Sequence, residues 1–73
     1  MEMEISYKRI NVIGGVSATE NEMDIIRLVF ANRSNAEIAV ILSKSPETVK
    51  SEMKRIFRKF RCKSRLQLAL KYA

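Results

Sequence analysis

Residues 34–60, SNAEIAVILSKSPETVKSEMKRIFRKF, contain the strongest structural signals in the chain. Ser45-Pro46-Glu47 is a strong helix start. It has a serine N-cap, a proline at the first helical position, where a missing N–H costs nothing, and an acid in the first turn. Apolar residues then recur every three or four positions, which predicts a core-facing helix that reaches about Phe60. They are Val49, Met53, Ile56, Phe57 and Phe60.

A shorter helix precedes this one. Ser34 is placed to be its N-cap and Glu37 its third helical residue, so we predict a helix from about Asn35 to Leu42. A helix this short needs tertiary packing to be stable. Ser43-Lys44 forms a brief turn, so the two helices make a helix-turn-helix. The apolar stripe of the shorter helix consists of Ile38, Ala39, Ile41 and Leu42.

Two further helices flank the pair. The first begins at Thr19, whose hydroxyl and the carboxylate of Glu22 fit a capping box, and Asn32 can end it in a left-handed conformation. The last begins after Ser64, where Gln67 is expected to complete a second capping box, and runs to the C-terminus. We therefore predict an all-α fold, a four-helix domain over residues 17–73 with a short N-terminal extension over residues 1–16. The extension has no helical period, and a strand, an arm and a capping segment all remain open for it.

The last helix carries two apolar stripes, one more than a small domain can easily bury. One stripe packs on the core. The other is exposed unless a partner or residues 5–16 cover it, and both alternatives remain open. The first stripe consists of Leu68, Ala69 and Tyr72. The second consists of Leu66, Leu70 and Ala73, which we take as a candidate dimer interface.

The composition excludes several classes of function. The chain has 73 residues, no His and one Cys, so it lacks the usual catalytic triads, structural zinc sites and internal disulfides. Cys62 is expected to fill a small core position. The longest apolar run is four residues, Ala39 to Leu42, far too short for a membrane span. We expect a soluble intracellular protein that is not an enzyme and has no cofactor, metal, membrane or small-molecule partner.

Charge points to a polyanion. The net charge is +6, and residues 34–73 carry ten of the 14 basic residues but three of the eight acids. A solvated helix face is the alternative explanation. An α-helix fits the DNA major groove, and Lys50 and Lys54 are long enough to reach base edges, with small Ser51 between them. Glu52 is expected to pair with Arg55 or Lys59. Phosphate candidates are the hydroxyls of Ser34, Ser45, Thr48 and Ser64 and the cations of Arg55, Arg58, Lys59, Lys63 and Arg65.

The motifs resemble the LuxR/GerE-type helix-turn-helix over roughly residues 18–72. The resemblance lies in Ser34-Asn35-Ala36-Glu37-Ile38-Ala39, Leu42, Ser45-Pro46-Glu47-Thr48-Val49-Lys50, Ile56, Lys59 and Ser64-Arg65. It implies a bacterial transcription regulator that dimerises, often through its last helix. It also implies base contacts at Lys50, Ser51 and Lys54, and phosphate contacts near Thr48 and Ser64-Arg65. The chain departs from the family at Ser43-Lys44, where Gly-Ile or Gly-Val is usual, and at Glu52, where His or Asn is frequent.

We therefore expect a sequence-specific DNA-binding transcription regulator in the bacterial cytoplasm, associated with the nucleoid. It would bind double-stranded DNA as a homodimer, with the recognition helix, residues 46–60, in the major groove. An alternative is a protein-interaction module that pairs through the last helix with another regulator and modulates its DNA binding. A domain like region four of a sigma factor is more remote.

Overall fold

The computed structural model describes residues 11–72. A two-stranded antiparallel hairpin comes first, with β1 at Asn11–Ile13 and β2 at Val16–Ala18. Four helices follow in the described residues: α1 Glu20–Phe30, α2 Asn35–Ile41, α3 Pro46–Lys59 and α4 Arg65–Tyr72. The predicted four-helix architecture is confirmed, preceded by the small hairpin. Within residues 11–72, each helix falls short of the length and apolarity that crossing a bilayer requires.

The hairpin closes through Gly14-Gly15. Both glycines have positive φ, 56° and 84°, which a two-residue type I′ loop requires and which glycine adopts without strain. Ile13 pairs with Val16 across the loop, and Ala18 at the end of β2 is buried. Of the alternatives left open for residues 1–16, a strand is present at residues 11–13, while residues 1–10 lie outside the described part. The hairpin straddles residue 16, and the division into extension and domain remains a prediction.

The first three helices begin at the predicted caps. Thr19 and Glu22 form a capping box at α1, with N–H···O distances of 3.1 and 2.9 Å. Ser34 and Glu37 form another at α2, at 3.1 and 2.8 Å. Ser45 caps α3 by accepting from the N–H of Thr48, at 3.1 Å. These bonds join residues three apart, so each helix start follows from its local sequence.

The same three helices end alike. Asn32, Ser43 and Arg61, just after α1, α2 and α3, have φ of 62°, 55° and 57°. The residue after each donates its N–H to a carbonyl five residues back, which turns the chain out of the helix. The expected role of Asn32 agrees with this geometry, and Ser43 performs the same turn between α2 and α3.

The start of α4 differs from the prediction. Ser64 accepts from the N–H of Gln67 at 3.1 Å, as expected of an N-cap. The Gln67 side chain, however, accepts from the N–H of Lys63 at 2.6 Å rather than from Ser64. The reciprocal half of the predicted capping box is therefore wrong, because the Gln67 oxygen is used by the residue before the N-cap.

The core lies where all four helices meet. Fully buried side chains come from α1, α2, α3 and α4, and α2 packs closely on α3. Tyr72 closes the end of the core: its ring meets that of Phe60 edge-on at 5.4 Å, and its hydroxyl donates to the Phe60 carbonyl at 3.3 Å. The same ring packs against Gly14, where a Cβ would collide with it. Cys62 is buried as predicted, whereas Ile41 of the predicted α2 stripe is 52% exposed. The largest fully buried side chains are Ile25, Ile26, Ile38, Val49, Ile56, Phe60 and Leu68.

Candidate nucleic-acid interface

The interface begins at the N-terminus of α3. The Ser45 hydroxyl donates to the Thr48 hydroxyl oxygen at 2.9 Å while it accepts from the Thr48 N–H. Both side chains are exposed. Because Thr48 accepts the serine proton, its own hydroxyl proton stays available to an oxygen acceptor. An exposed helix start with a spare donor suits a phosphate oxygen.

The two sides of α3 have opposite character. Val49, Met53 and Ile56 are buried on one side. At about 100° per residue, Ser51 and Arg58 project directly away from these residues, with Lys54 beside them and Lys50 at the edge. We call Lys50, Ser51, Lys54 and Arg58 the outward face of α3. All four are exposed, so the residues expected to contact bases lie on one accessible surface.

Glu52 does not pair as predicted. Its carboxylate receives the Lys44 ammonium at 2.9 and 3.1 Å and the Asn21 amide at 2.9 Å, rather than a cation of its own helix. Burial alone would raise the pKa of Glu52. Hydrogen bonds from Lys44 and Asn21 and the charges of Lys44 and Arg55 outweigh burial, so the pKa lies below its ordinary value of 4.5. The acid is thereby turned toward α1 and away from the outward face.

Lys59 also has a structural partner. Its ammonium lies 2.6 Å from the carboxylate of Glu22, which is 9% exposed and also caps α1 through Thr19. Burial alone would raise the pKa of Glu22, but the hydrogen bonds from Lys59 and Thr19 and the Lys59 charge lower it overall. Lys59, expected to contact phosphate, thus ties α3 to α1 instead.

The predicted phosphate contacts near α4 divide in the same way. Lys63 and Ser64 are exposed at the start of the helix, and Ser64 acts as its cap. The Arg65 guanidinium donates to the carbonyl of Arg33, which links α4 to the segment between α1 and α2. Exposed Ser34, at the start of α2, is engaged in its capping box through Glu37. The Lys63 side chain is therefore available to a ligand, whereas part of the Arg65 guanidinium is already bound to a backbone carbonyl.

Charge is segregated around α3. Within residues 11–72, the cations of Lys50, Lys54, Arg55 and Arg58 have no acid within ion-pair distance. Of the two acids in α3, Glu52 turns to α1. Glu47 is exposed in the first turn, at the N-terminal end of the outward side, where it suits the helix dipole. The arrangement leaves an exposed cationic surface on a rigid helix, which suits binding of a polyanion.

A family model described as bacterial regulatory proteins, LuxR family, matches residues 16–72. The chain belongs to the LuxR family. The resemblance predicted from the motifs is confirmed, and this part of the chain is a DNA-binding helix-turn-helix domain of a transcription regulator. No curated protein and no solved structure matches significantly.

One face of α4 leaves this LuxR-family domain with an apolar surface. Leu68 is buried, but Leu66 and Leu70, one turn apart, are 66% and 78% exposed. We call this pair the α4 surface. Ala73, the third residue predicted there, lies outside the described residues. Residues 11–18 leave the two leucines exposed, and the rest of the segment in the alternative of coverage by residues 5–16 lies outside the described residues.

A second apolar surface lies on α2 and was missed from the sequence. Val40 is 80% exposed and Ile41 is about half exposed, and they line a shallow open groove with Ala36 between the charged Arg33 and Glu37. The apolar period of α2 spans more residues than the core can cover. A helix of seven residues buries only Ile38 and Ala39.

Proposed function

We propose that this domain is a sequence-specific transcription regulator that binds double-stranded DNA as a homodimer, with α3 in the major groove. The observation that carries the proposal is the outward face of α3, where cations stand without acid partners on the side opposite the core. A regulator of this kind acts on the nucleoid in the bacterial cytoplasm.

The length of the outward face determines how much DNA it can read. From Lys50 to Arg58 the helix rises about 12 Å, at about 1.5 Å per residue. Base pairs are spaced about 3.4 Å apart, so one helix faces three or four of them. We assign base contacts to Lys50, Ser51 and Lys54. Lysine donates well to guanine oxygens and nitrogens, and the small serine lets the helix approach closely.

Phosphate contacts would hold α3 in register without reading sequence. Exposed hydroxyls at helix starts, and exposed cations that would lie beside the DNA major groove, support this role. At Arg65, the contact would use guanidinium donors other than those bound to the Arg33 carbonyl. The proposed set is Ser34, Ser45, Thr48, Arg55, Arg58, Lys63, Ser64 and Arg65.

The homodimer is supported by the exposed α4 surface. Leu66 and Leu70 lie on a helix that Tyr72 anchors to the core, so the two leucines are presented on a rigid support. We propose that they form the dimer interface together with Ala73. Two recognition helices would then meet half-sites about one DNA turn, about 34 Å, apart.

Exposure of the same leucines also favours the second candidate, a protein-interaction module. In that case α4 would pair with another regulator and change its DNA binding. The two candidates differ in whether the purified chain alone selects a DNA sequence.

Selection of bound duplexes from a random pool tests the proposal. We expect enrichment of a roughly palindromic site with half-sites of three or four base pairs. Lys54→Ala should relax the base preference by about 1–3 kcal/mol at one position, whereas Arg58→Ala should weaken all duplexes alike. Arg27→Ala, an exposed cation on α1 paired with Asp24, is the matched control and should bind as the parent does. No enrichment would reject sequence-specific binding and favour the interaction module.

A further inference from the structure

Three polar side chains from separate parts of the chain meet beside the recognition helix. Asn21 comes from the first turn of α1, Lys44 from the turn after α2, and Glu52 from the middle of α3. The Lys44 ammonium donates to both carboxylate oxygens of Glu52 and to the amide oxygen of Asn21. The Asn21 amide nitrogen in turn donates to Glu52. We call these three residues the polar clamp.

The clamp is closed and partly desolvated. The side chains of Lys44 and Glu52 are 21% and 16% exposed, far less than those of the surface ion pair of Asp24 and Arg27. The Lys44 ammonium directs its hydrogen bonds to the two Glu52 oxygens and to the Asn21 oxygen, inside the clamp. Although Lys44 lies in the turn of the helix-turn-helix, its charge is therefore already paired with a carboxylate of α3.

Glu52 needs such a partner because of its position on α3. It follows Ser51 directly in the sequence and lies two residues before Lys54, on a helix proposed to approach a polyanion. An unneutralised carboxylate there would repel phosphate, and it would attract the cations of the outward face that are proposed to bind DNA. It would also be partly buried without a partner, which favours rotation of α3 to expose it.

We propose that Lys44 is a positioning residue for DNA binding: it neutralises Glu52 and, together with Asn21, sets the orientation of α3 against α1. This inference rests on the proposed function of the outward face, and it assigns Lys44 a role other than phosphate contact. The turn at Ser43-Lys44 then contributes to recognition by controlling an acid of the next helix.

A four-variant comparison tests the proposal: the parent, Lys44→Met, Glu52→Gln and the double variant, with duplex affinity measured as a function of salt. We expect Lys44→Met to lose about fivefold in affinity, because the Glu52 carboxylate is then no longer neutralised and repels the DNA phosphates. The double variant should return to within about twofold of the parent, since its acid is gone too. The double variant should also keep the parent's salt slope, because no phosphate contact is removed and the unmasked charge is gone.

A direct phosphate contact by Lys44 predicts a different result and would overturn the proposal. The double variant would then remain as weak as Lys44→Met, and the salt slope of both would fall by about 0.9 per protomer. The matched control is Asp24→Asn with Arg27→Met, another acid–cation pair, on α1. Equal losses and equal recovery in the control would mean that net charge alone explains the effect, which would also overturn the proposal.

The same variants give a readout that needs no DNA. In a double-mutant cycle of urea unfolding, the clamp pair should show a clearly larger coupling free energy than the exposed Asp24–Arg27 pair. If the parent binds no duplex, the proposed function fails while this cycle still tests the clamp. A clamp coupling no larger than the control coupling would reject it. Lys44→Gln, which keeps a donor but no charge, replaces Lys44→Met if that variant is unfolded at the assay temperature.

Discussion

Salt dependence is the most quantitative consequence of the cationic surface. Each phosphate neutralised by a cation releases counterions, so affinity falls with salt by a power of about 0.9 per contact. The relevant number is therefore the count of cations that are free to bind phosphate. Lys59 and Lys44 are held by acids. Arg65, a proposed phosphate contact that also donates to the Arg33 carbonyl, is left out so that the count is a minimum. With Lys50 and Lys54 assigned to bases, Arg55, Arg58 and Lys63 remain.

Three cations per protomer make about six phosphate contacts in a dimer, and the expected slope is about −5. Between 50 and 200 mM salt, affinity should then fall by about 10³-fold. A monomer with about three contacts would lose only about 40-fold over the same range. The salt slope thus reports both the number of phosphate contacts and whether a monomer or a dimer binds the DNA.

Fluorescence anisotropy of a labelled selected duplex, titrated at five or more salt concentrations, measures the slope. Arg58→Ala should reduce it by about 0.9 per protomer, while Arg27→Ala on α1 should leave it unchanged. A parent slope smaller in magnitude than about 1 would refute phosphate binding by this surface. Equal slopes for the two variants would refute the assignment of Arg58.

Three further predictions concern the dimer and the stability of the domain. Leu70→Lys should give monomers in sedimentation while the circular dichroism stays helical, because Leu70 is 78% exposed and makes no core; an unchanged dimer, or a monomeric parent, would reject the α4 surface as the interface. Ser45→Ala should cost about 1 kcal/mol through loss of the cap of α3, lowering the melting temperature by about 4–8 °C; an unchanged melting curve would contradict this role. The pKa of Glu22 is lowered in the folded protein, so its contribution to the free energy of unfolding is present above pH 4.5 and is lost as the pH falls through the folded value. Urea unfolding across the acid range should show that loss, and Glu22→Gln should flatten it; an identical pH profile would argue against Glu22 as its source.

Much of the fold could be predicted from the sequence because its signals are local. The caps at Thr19, Ser34 and Ser45 join a side chain to a backbone N–H three residues away, so a short stretch of sequence contains both partners. The helical period likewise identifies the buried side of α3 from its own residues. Once that side is known, exposure of the residues on the outward face follows.

The interactions that could not be predicted join distant residues. Glu52 has basic neighbours at helical spacing, so Arg55 and Lys59 were reasonable partners, yet its partners are Lys44 and Asn21, the latter 31 residues away. The pairing depends on how α1 packs on α3, which the period of either helix does not specify. The pairing of Lys59 with Glu22, which are 37 residues apart, was missed for the same reason.

Periodicity also overestimates burial at short elements. Ile41 fits the apolar stripe of α2, but a helix of seven residues turns only a narrow side to the core, and Ile41 stays exposed. The hairpin was left undecided because three-residue strands are too short for an alternating pattern to stand out. Gly14-Gly15 was the usable signal, since two adjacent glycines suit a type I′ loop.

The lone cysteine gives this protein a native kinetic probe. Cys62 lies between α3 and α4, is 7% exposed, and donates its thiol hydrogen to the Phe60 carbonyl at 3.4 Å. A thiol-modifying reagent reaches the largely buried sulfur mainly when the segment between α3 and α4 opens or the domain unfolds. The rate of thiol labelling therefore measures these opening events without an engineered reporter. A partner that binds and stabilises α4 should slow the labelling.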